Sequence, residues 1–167
     1  MAPKLTIRDA RPTDWEGIWP FLEQIVRAGE TYTWPRALPE EGARARWMLP
    51  PPCRVFVAVD QTGTIVGTAK LLPNNEGGGS HVANASFMVD PARSGLGLGR
   101  ALAEHVLAAA TADGYRAMQF NAVVETNIAA VHLWRSVGFQ VLATVPDAFD
   151  HPVHSLVGLL IMYRSLP

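Results

Sequence analysis

Three glycines at alternate positions, Gly95, Gly97 and Gly99, stand between a β-rich run ending at Val89 and an Ala/Leu-rich run beginning at Leu98. Glycine tolerates the positive φ angles that turn consecutive backbone N–H groups into one concavity. A helix starting there adds about half a positive charge at its N-terminus. The stretch Val89-Asp90-Pro91-Ala92-Arg93-Ser94-Gly95-Leu96-Gly97-Leu98-Gly99-Arg100-Ala101-Leu102 therefore reads as a strand, an anion cradle and a helix, with phosphate or pyrophosphate as the fitting anion. Spacing excludes two common glycine motifs. A P-loop needs Lys-Ser/Thr after its last glycine, where this chain has Arg100 and Ala101. A dinucleotide fingerprint needs its third glycine three places after the second, and Arg100 stands there.

The elements around the turn follow from periodicity and punctuation. Residues 5–8 alternate as a strand, and Thr13 and Glu16 have the spacing of a capping box. A helix from there carries Ile18, Leu22, Ile25 and Val26 at helical spacing to Gly29. Residues 30–39, with Tyr32, Trp34 and two prolines, read as a structured loop, and residues 40–48 as a second helix closed by Pro50-Pro51-Pro52. Strands over 54–59 and 64–72 join across Asp60-Gln61-Thr62-Gly63 as a hairpin. Residues 74–80 form a mobile glycine-rich connection to a strand over 81–89. Beyond the glycine turn come helix 98–112, strand 117–124, helix 128–137 and strands 139–145 and 156–163. A hairpin followed by strand–helix–strand crossovers predicts a mixed sheet.

Composition narrows the function classes. At 167 residues the chain has the size of one domain, 1–167, with 49% hydrophobic and 17% charged residues, which supplies a core and excludes intrinsic disorder. With 14 basic and 15 acidic side chains there is no broad cationic face, so nucleic acid is not an expected partner. The longest apolar stretch, residues 156–162, is far too short to cross a bilayer, and residues 1–15 are too polar for a signal peptide, so no membrane partner and a cytoplasmic location are expected. Cys53 is the sole cysteine, read as a buried filler, and His105, His132, His151 and His154 lack metal-site spacing and read as surface residues. No metal is expected.

The glycine turn resembles the pyrophosphate loop of the GNAT superfamily of acetyl-CoA-dependent N-acetyltransferases, Arg/Gln-x-x-Gly-x-Gly/Ala at the start of the third helix. Gly97 and Gly99 match, Gly95 and Arg100 are frequent companions, Ser94 holds the Arg/Gln position, and Arg93 is displaced by one. Asn127-Ile128-Ala129-Ala130-Val131-His132-Leu133-Trp134-Arg135-Ser136-Val137-Gly138-Phe139 resembles the family's Asn-x-x-Ala-x-x-Leu-Tyr-x-x-x-Gly-Phe segment with every spacing kept. The resemblance implies an α/β fold with a mixed six- to seven-stranded sheet, splayed fourth and fifth strands and about four helices. It implies acetyl-CoA as co-substrate, bound by main chain at Phe87, Met88 and Val89, by Ser94, Gly95, Leu96, Gly97, Leu98, Gly99 and Arg100, and by Asn127 and Trp134.

Acetyl transfer to an amine requires an unprotonated nucleophile, donors for the carbonyl oxygen and release of thiolate. The family often protonates the departing sulfur with a Tyr, but Trp134 stands at that position, and an indole N–H cannot surrender a proton near neutrality. Residues 127, 130, 131 and 134 share one helical face, so Trp134 points where the Tyr would; packing is the alternative role. The stretches around Asn84 and Asn121–Asn127 are similar to fungal members that acetylate proline analogues such as azetidine-2-carboxylate. That implies catalytic roles for Asn127 and Asn121 and acceptor binding by Asn84 and Asn121, with Glu125 gathered near the acyl carbon as a further catalytic candidate and His81 beside the acceptor. The alternatives are a helix N-cap for Asn127 and satisfied sheet polar groups for Asn84 and Asn121. His81 and Glu125 are the candidate bases, and Tyr32 and Trp34 wall the acceptor pocket or pack in the core. The expected partner is a small-molecule amine, and a homodimer is compatible with the resemblance. Two other readings stay open: a protein or peptide N-acetyltransferase, and an acyl-CoA-binding module without turnover.

Overall fold

Backbone punctuation sets most element boundaries in the computed structural model, which describes residues 5–167. Strand β1 (Thr6–Asp9) leads through a 3-10 turn (Pro12–Asp14) into helix α1 (Trp15–Ala28), which Gly29 ends at φ 68°, its N–H donating to Val26 O at 3.1 Å. The capping box expected of Thr13 and Glu16 is not what starts this helix. Asp14 does the work one turn earlier: its carboxylate accepts the Arg11 backbone N–H at 2.6 Å and the Arg8 guanidinium at 2.7 and 2.9 Å. An ionised carboxylate gripped from β1 is a stronger acceptor than a threonine hydroxyl. Arg8 also holds the Asp14 carboxyl below the usual carboxylate range.

Helix α2 (Glu40–Trp47) is followed by β2 (Arg54–Val59) and β3 (Ile65–Pro73), joined by a turn in which the Asp60 carboxylate accepts the Thr62 and Thr64 N–H groups. A 3-10 turn (Gly77–Gly79) lies between β3 and β4 (Val82–Val89). Then come α3 (Leu98–Ala112), β5 (Ala117–Val124), α4 (Ile128–Ser136), β6 (Gln140–His151) and β7 (Ser155–Ser165). The seven strands form one sheet in the order β1-β2-β3-β4-β5-β7-β6. All neighbours are antiparallel except β4 and β5, which run parallel.

The parallel pair positions the site. It is in register only at Val82↔Ala117 and Ala83↔Met118, after which the strands diverge. From Asn84 onward, β4 has a ladder partner in β3 alone. The sheet buries a core on each face. One, against α3 and α4, gathers Phe56, Leu71, Leu102, Val106, Phe120 and Met162. The other, against α1 and α2, gathers Trp15, Ile18, Leu22, Trp47, Val57 and Met88. Cys53 belongs to this second core, and burial pushes its thiol pKa up.

Two expectations change. The sixth strand, expected over 139–145, runs on to His151, because a register shift between Val145 and Phe149, with Asp147 at φ 53°, lets it pass Pro146. His151 is buried rather than on the surface: its Nδ1 accepts the backbone N–H groups of Val153 and His154 at 3.1 and 3.3 Å, which draws the ring into the β6–β7 bend. Among the described residues no helix is long and apolar enough to cross a membrane.

Candidate active site

The divergence of β4 and β5 opens a cleft of about 900 Å³, lined by both strands, the turn before α3, one face of α4 and the segment after α1. Its two ends are built by different means.

At the α3 end the walls are main chain. Asp90 accepts the Ala92 N–H at 3.0 Å and fixes a 3-10 turn over Pro91–Arg93. Gly95 and Gly97 then take φ 80° and 78°, and Gly97 caps α3. Residue 101 is the first at this end whose N–H finds a helical acceptor, Gly97 O at 3.1 Å. The N–H groups of Leu98, Gly99 and Arg100 precede it and lack the carbonyl one turn earlier. A Cβ on Gly95 or Gly97 would meet nothing within 4 Å, so the hollow beside this turn is free of protein. Unpaired donors, a helix N-terminus and an empty hollow fit a diphosphate. Two cations flank it, each already tethered: Arg93 to Asp60 at 3.3 Å, and Arg100 to Ser136 Oγ at 2.7 Å.

Ser94, Gly95, Gly97, Leu98, Gly99 and Arg100 line the cleft, whereas Leu96 turns its side chain outward and is 52% exposed. Phe87, Met88 and Val89 line it from β4. The Phe87 ring lies 4.8 Å from Trp134, which in turn lies 4.8 Å from Phe120. Trp134 is buried in that aromatic cluster yet borders the cleft, and its indole N–H finds no protein acceptor among the described residues. It is therefore an apolar wall with one free donor.

At the other end the walls are side chains brought from distant parts of the chain. Tyr32 donates its hydroxyl proton to Phe87 O at 2.8 Å, tying the segment after α1 to the splayed edge of β4. Burial pushes the Tyr32 pKa far above its usual value, so it stays a neutral donor. Tyr32, Trp34 and Trp47 meet edge to face, with ring centroids 5.6 to 6.4 Å apart. Asn84 and Asn121 line the cleft here, Asn121 held by Gln119 at 3.0 Å and Asn74 at 2.7 Å. Asn127 lines it from the start of α4, where its Oδ1 accepts the Ala130 N–H at 3.3 Å. The N-cap role and a place in the cleft are thus combined in one side chain, with the amide N–H₂ uncommitted.

Two candidates lie outside. His81 is exposed at the end where β4 and β5 are still paired, opposite to the direction in which they open. Glu125 turns away to β7, where its carboxylate accepts the Gly158 N–H at 2.5 Å. Glu125 N–H also donates to Gly158 O at 3.0 Å, so both backbone and side chain hold it there.

Sequence reasoning missed Lys70, Ser86 and Thr31, which line the cleft beside Tyr32. For Lys70 a signal existed: it is the single charge in the β3 run Ile-Val-Gly-Thr-Ala-Lys-Leu-Leu-Pro. Burial holds its ammonium pKa below the ordinary value.

Residues 19–139 match the Acetyltransferase (GNAT) family. The N-acetyltransferase aca1 of Schizosaccharomyces pombe is 32% identical over 99 residues, 59% of this chain and 47% of the relative. The match thus spans about half the length of that curated protein. A GCN5-related N-acetyltransferase from Kribbella flavida superposes with a TM-score of 0.94 at 53% identity, covering 97% of this chain and 98% of the other. A phosphinothricin acetyltransferase from Sinorhizobium meliloti, solved in complex with acetyl-CoA, shares the fold at a TM-score of 0.87 and 21% identity, covering 99% of this chain and 89% of its own.

Proposed function

The chain belongs to the acetyltransferase (GNAT) family, and from that premise we propose that it moves an acetyl group from acetyl-CoA to the amine of a small molecule, an amino acid or proline analogue, by direct attack. The observation that carries this reading is one continuous cleft joining a main-chain anion cradle to a pocket walled by Tyr32 and Trp34. We read residues 1–167 as one such domain acting in the cytoplasm.

Acetyl-CoA brings the acetyl group as a thioester, already activated toward amines. The N–H groups of residues 95–100 hold its diphosphate, and unpaired main chain of β4 near Phe87–Val89 holds its arm. A β4 backbone N–H polarises the acetyl carbonyl, donating to the oxygen as it gains charge. The uncommitted amide of Asn127 faces the same region. Asn84 and Asn121 orient the acceptor, because an amide both accepts from an amine and donates to an oxygen. Trp134 seals the cleft against water without moving a proton. A thiol pKa of about 8.5 makes thiolate a tolerable leaving group, so no general acid is needed.

The cleft lining contains no carboxylate. With Glu125 and His81 outside it and Tyr32 held neutral, the acceptor enters as the free amine, and the proton its nitrogen sheds as the C–N bond forms and the C–S bond breaks passes through water to the departing thiolate. The position of the Tyr32 segment against β4 supports a small acceptor over a peptide, because the Tyr32–Phe87 bond closes the route a peptide chain would follow along the strand edge. Thiol release measured with free amino acids, proline analogues, polyamines and peptides tests the reading. Turnover with small amines is expected. Turnover with peptides alone, or binding of acetyl-CoA without turnover of any amine, overturns it.

A further inference from the structure

The acceptor end of the cleft holds a cation with nothing to neutralise it. Lys70 projects from β3 opposite Ser86 of β4 and packs its ammonium 5.6 Å from the Trp34 ring and 5.3 Å from the Trp47 ring. One of its three N–H donors reaches Arg46 O at 2.8 Å. No carboxylate comes within ion-pair distance of it among the described residues, and none lines the cleft. The other two cations of the lining differ in this respect, since Arg93 pairs with Asp60 and Arg100 with Glu104.

A part-buried charge without a partner is costly, and aromatic faces and one carbonyl compensate it only in part. The missing component is an anion small enough to fit between Lys70, Tyr32 and the Asn84–Ser86 stretch. Resting on the reading of the site as an acetyltransferase for small amines, we propose that Lys70 receives the carboxylate of the acceptor, which restricts the substrate class to amino acids carrying a free carboxyl group beside the amine. The carboxylate accepts the two remaining ammonium N–H groups, on the side where Ser86 stands across the ladder from Lys70. The amine of the same molecule then points toward Asn84, Asn121 and the splayed edge of β4. Lys70 is in this sense a specificity-determining residue and takes no part in bond making.

The test compares each free amino acid and proline analogue with its own carboxamide, reading thiol release with acetyl-CoA saturating. The wild-type protein should favour acid over amide by roughly thirtyfold in kcat/KM, the worth of one charge-assisted hydrogen-bonded contact. Lys70→Met keeps the apolar stem on Trp34 and Trp47 and should collapse that ratio toward unity through the KM of the acid, while Lys70→Arg should retain most of it. Acetyl-CoA affinity by calorimetry, unchanged in both variants, shows that they fold. Equal turnover of acid and amide by the wild-type protein overturns the inference without needing any variant, as does an equal loss for both in Lys70→Met. In those cases the small-amine reading survives. Turnover of peptides alone removes that reading as well.

Discussion

The two ends of the cleft offer hydrogen-bond donors by opposite strategies. At the α3 end the donors are backbone N–H groups from a handful of consecutive residues, shaped by Gly95 and Gly97 in the left-handed region. At the acceptor end they are side chains from the segment after α1, from β3, β4 and β5, and from the start of α4. Main-chain recognition is indifferent to most side chains and demands glycine where the backbone must turn. Side-chain recognition is chemically selective and depends on the whole sheet being assembled. A coenzyme shared by many enzymes suits the first, and an acceptor that distinguishes one enzyme from another suits the second.

The contrast is broken most severely at Gly97. A valine there must adopt φ near 78° and fills the hollow that protein leaves open, so Gly97→Val should weaken acetyl-CoA binding roughly a hundredfold by calorimetry. Ser94→Ala, in which a side chain is lost and the backbone kept, should leave that affinity within about threefold.

Asn127 combines two placements, since its Oδ1 caps α4 and the residue lines the cleft. Asn127→Ala should lower turnover at least about tenfold while acetyl-CoA affinity changes little. Asn127→Asp, which keeps the cap but removes the donor, should lower turnover similarly with less loss of thermal stability. Unchanged turnover in both variants would reduce Asn127 to a helix cap.

A pH titration sharpens the comparison. Burial holds the Lys70 pKa below its ordinary value, with the Cys53 thiol as the titratable neighbour acting on it. The cationic form exists below that depressed value and is lost as the pH rises through it. The KM for an acid acceptor, expressed as its free amine and compared with that of its carboxamide, should therefore climb with pH on the alkaline side, with acetyl-CoA affinity flat over the same window. The smallest effect is expected at the Tyr32 hydroxyl. Tyr32→Phe frees the Phe87 carbonyl and should raise the acceptor KM about threefold, a neutral hydrogen bond's worth.

The same division explains what could be read from the sequence. The glycine turn was legible because its signal is local: spacing among Gly95, Gly97 and Gly99 decides the motif, and α3 starts at Leu98 as expected. The Asn127–Phe139 segment was legible for the same reason. Lys70 was legible only as a lone charge in an apolar strand, because its meaning depends on Trp34, from the segment before α2, and Trp47, at the end of α2, converging on it. His81 and Glu125 were expected in the site because both border the splayed strands. Which end of β4 opens is set by the brief pairing of Val82 and Ala83 with β5, a contact between strands separated by a whole helix. The start of α1 shows a similar limit, since the Thr13–Glu16 spacing was overridden by Arg8 reaching Asp14 from β1.

A crystal of this protein soaked with coenzyme A is the most direct test. The diphosphate should lie within hydrogen-bonding reach of the N–H groups of residues 95–100, with the thiol arm running along β4 toward Asn127. A diphosphate held elsewhere, or an occupied crystal in which that turn is bare, would contradict the assignment of the cleft.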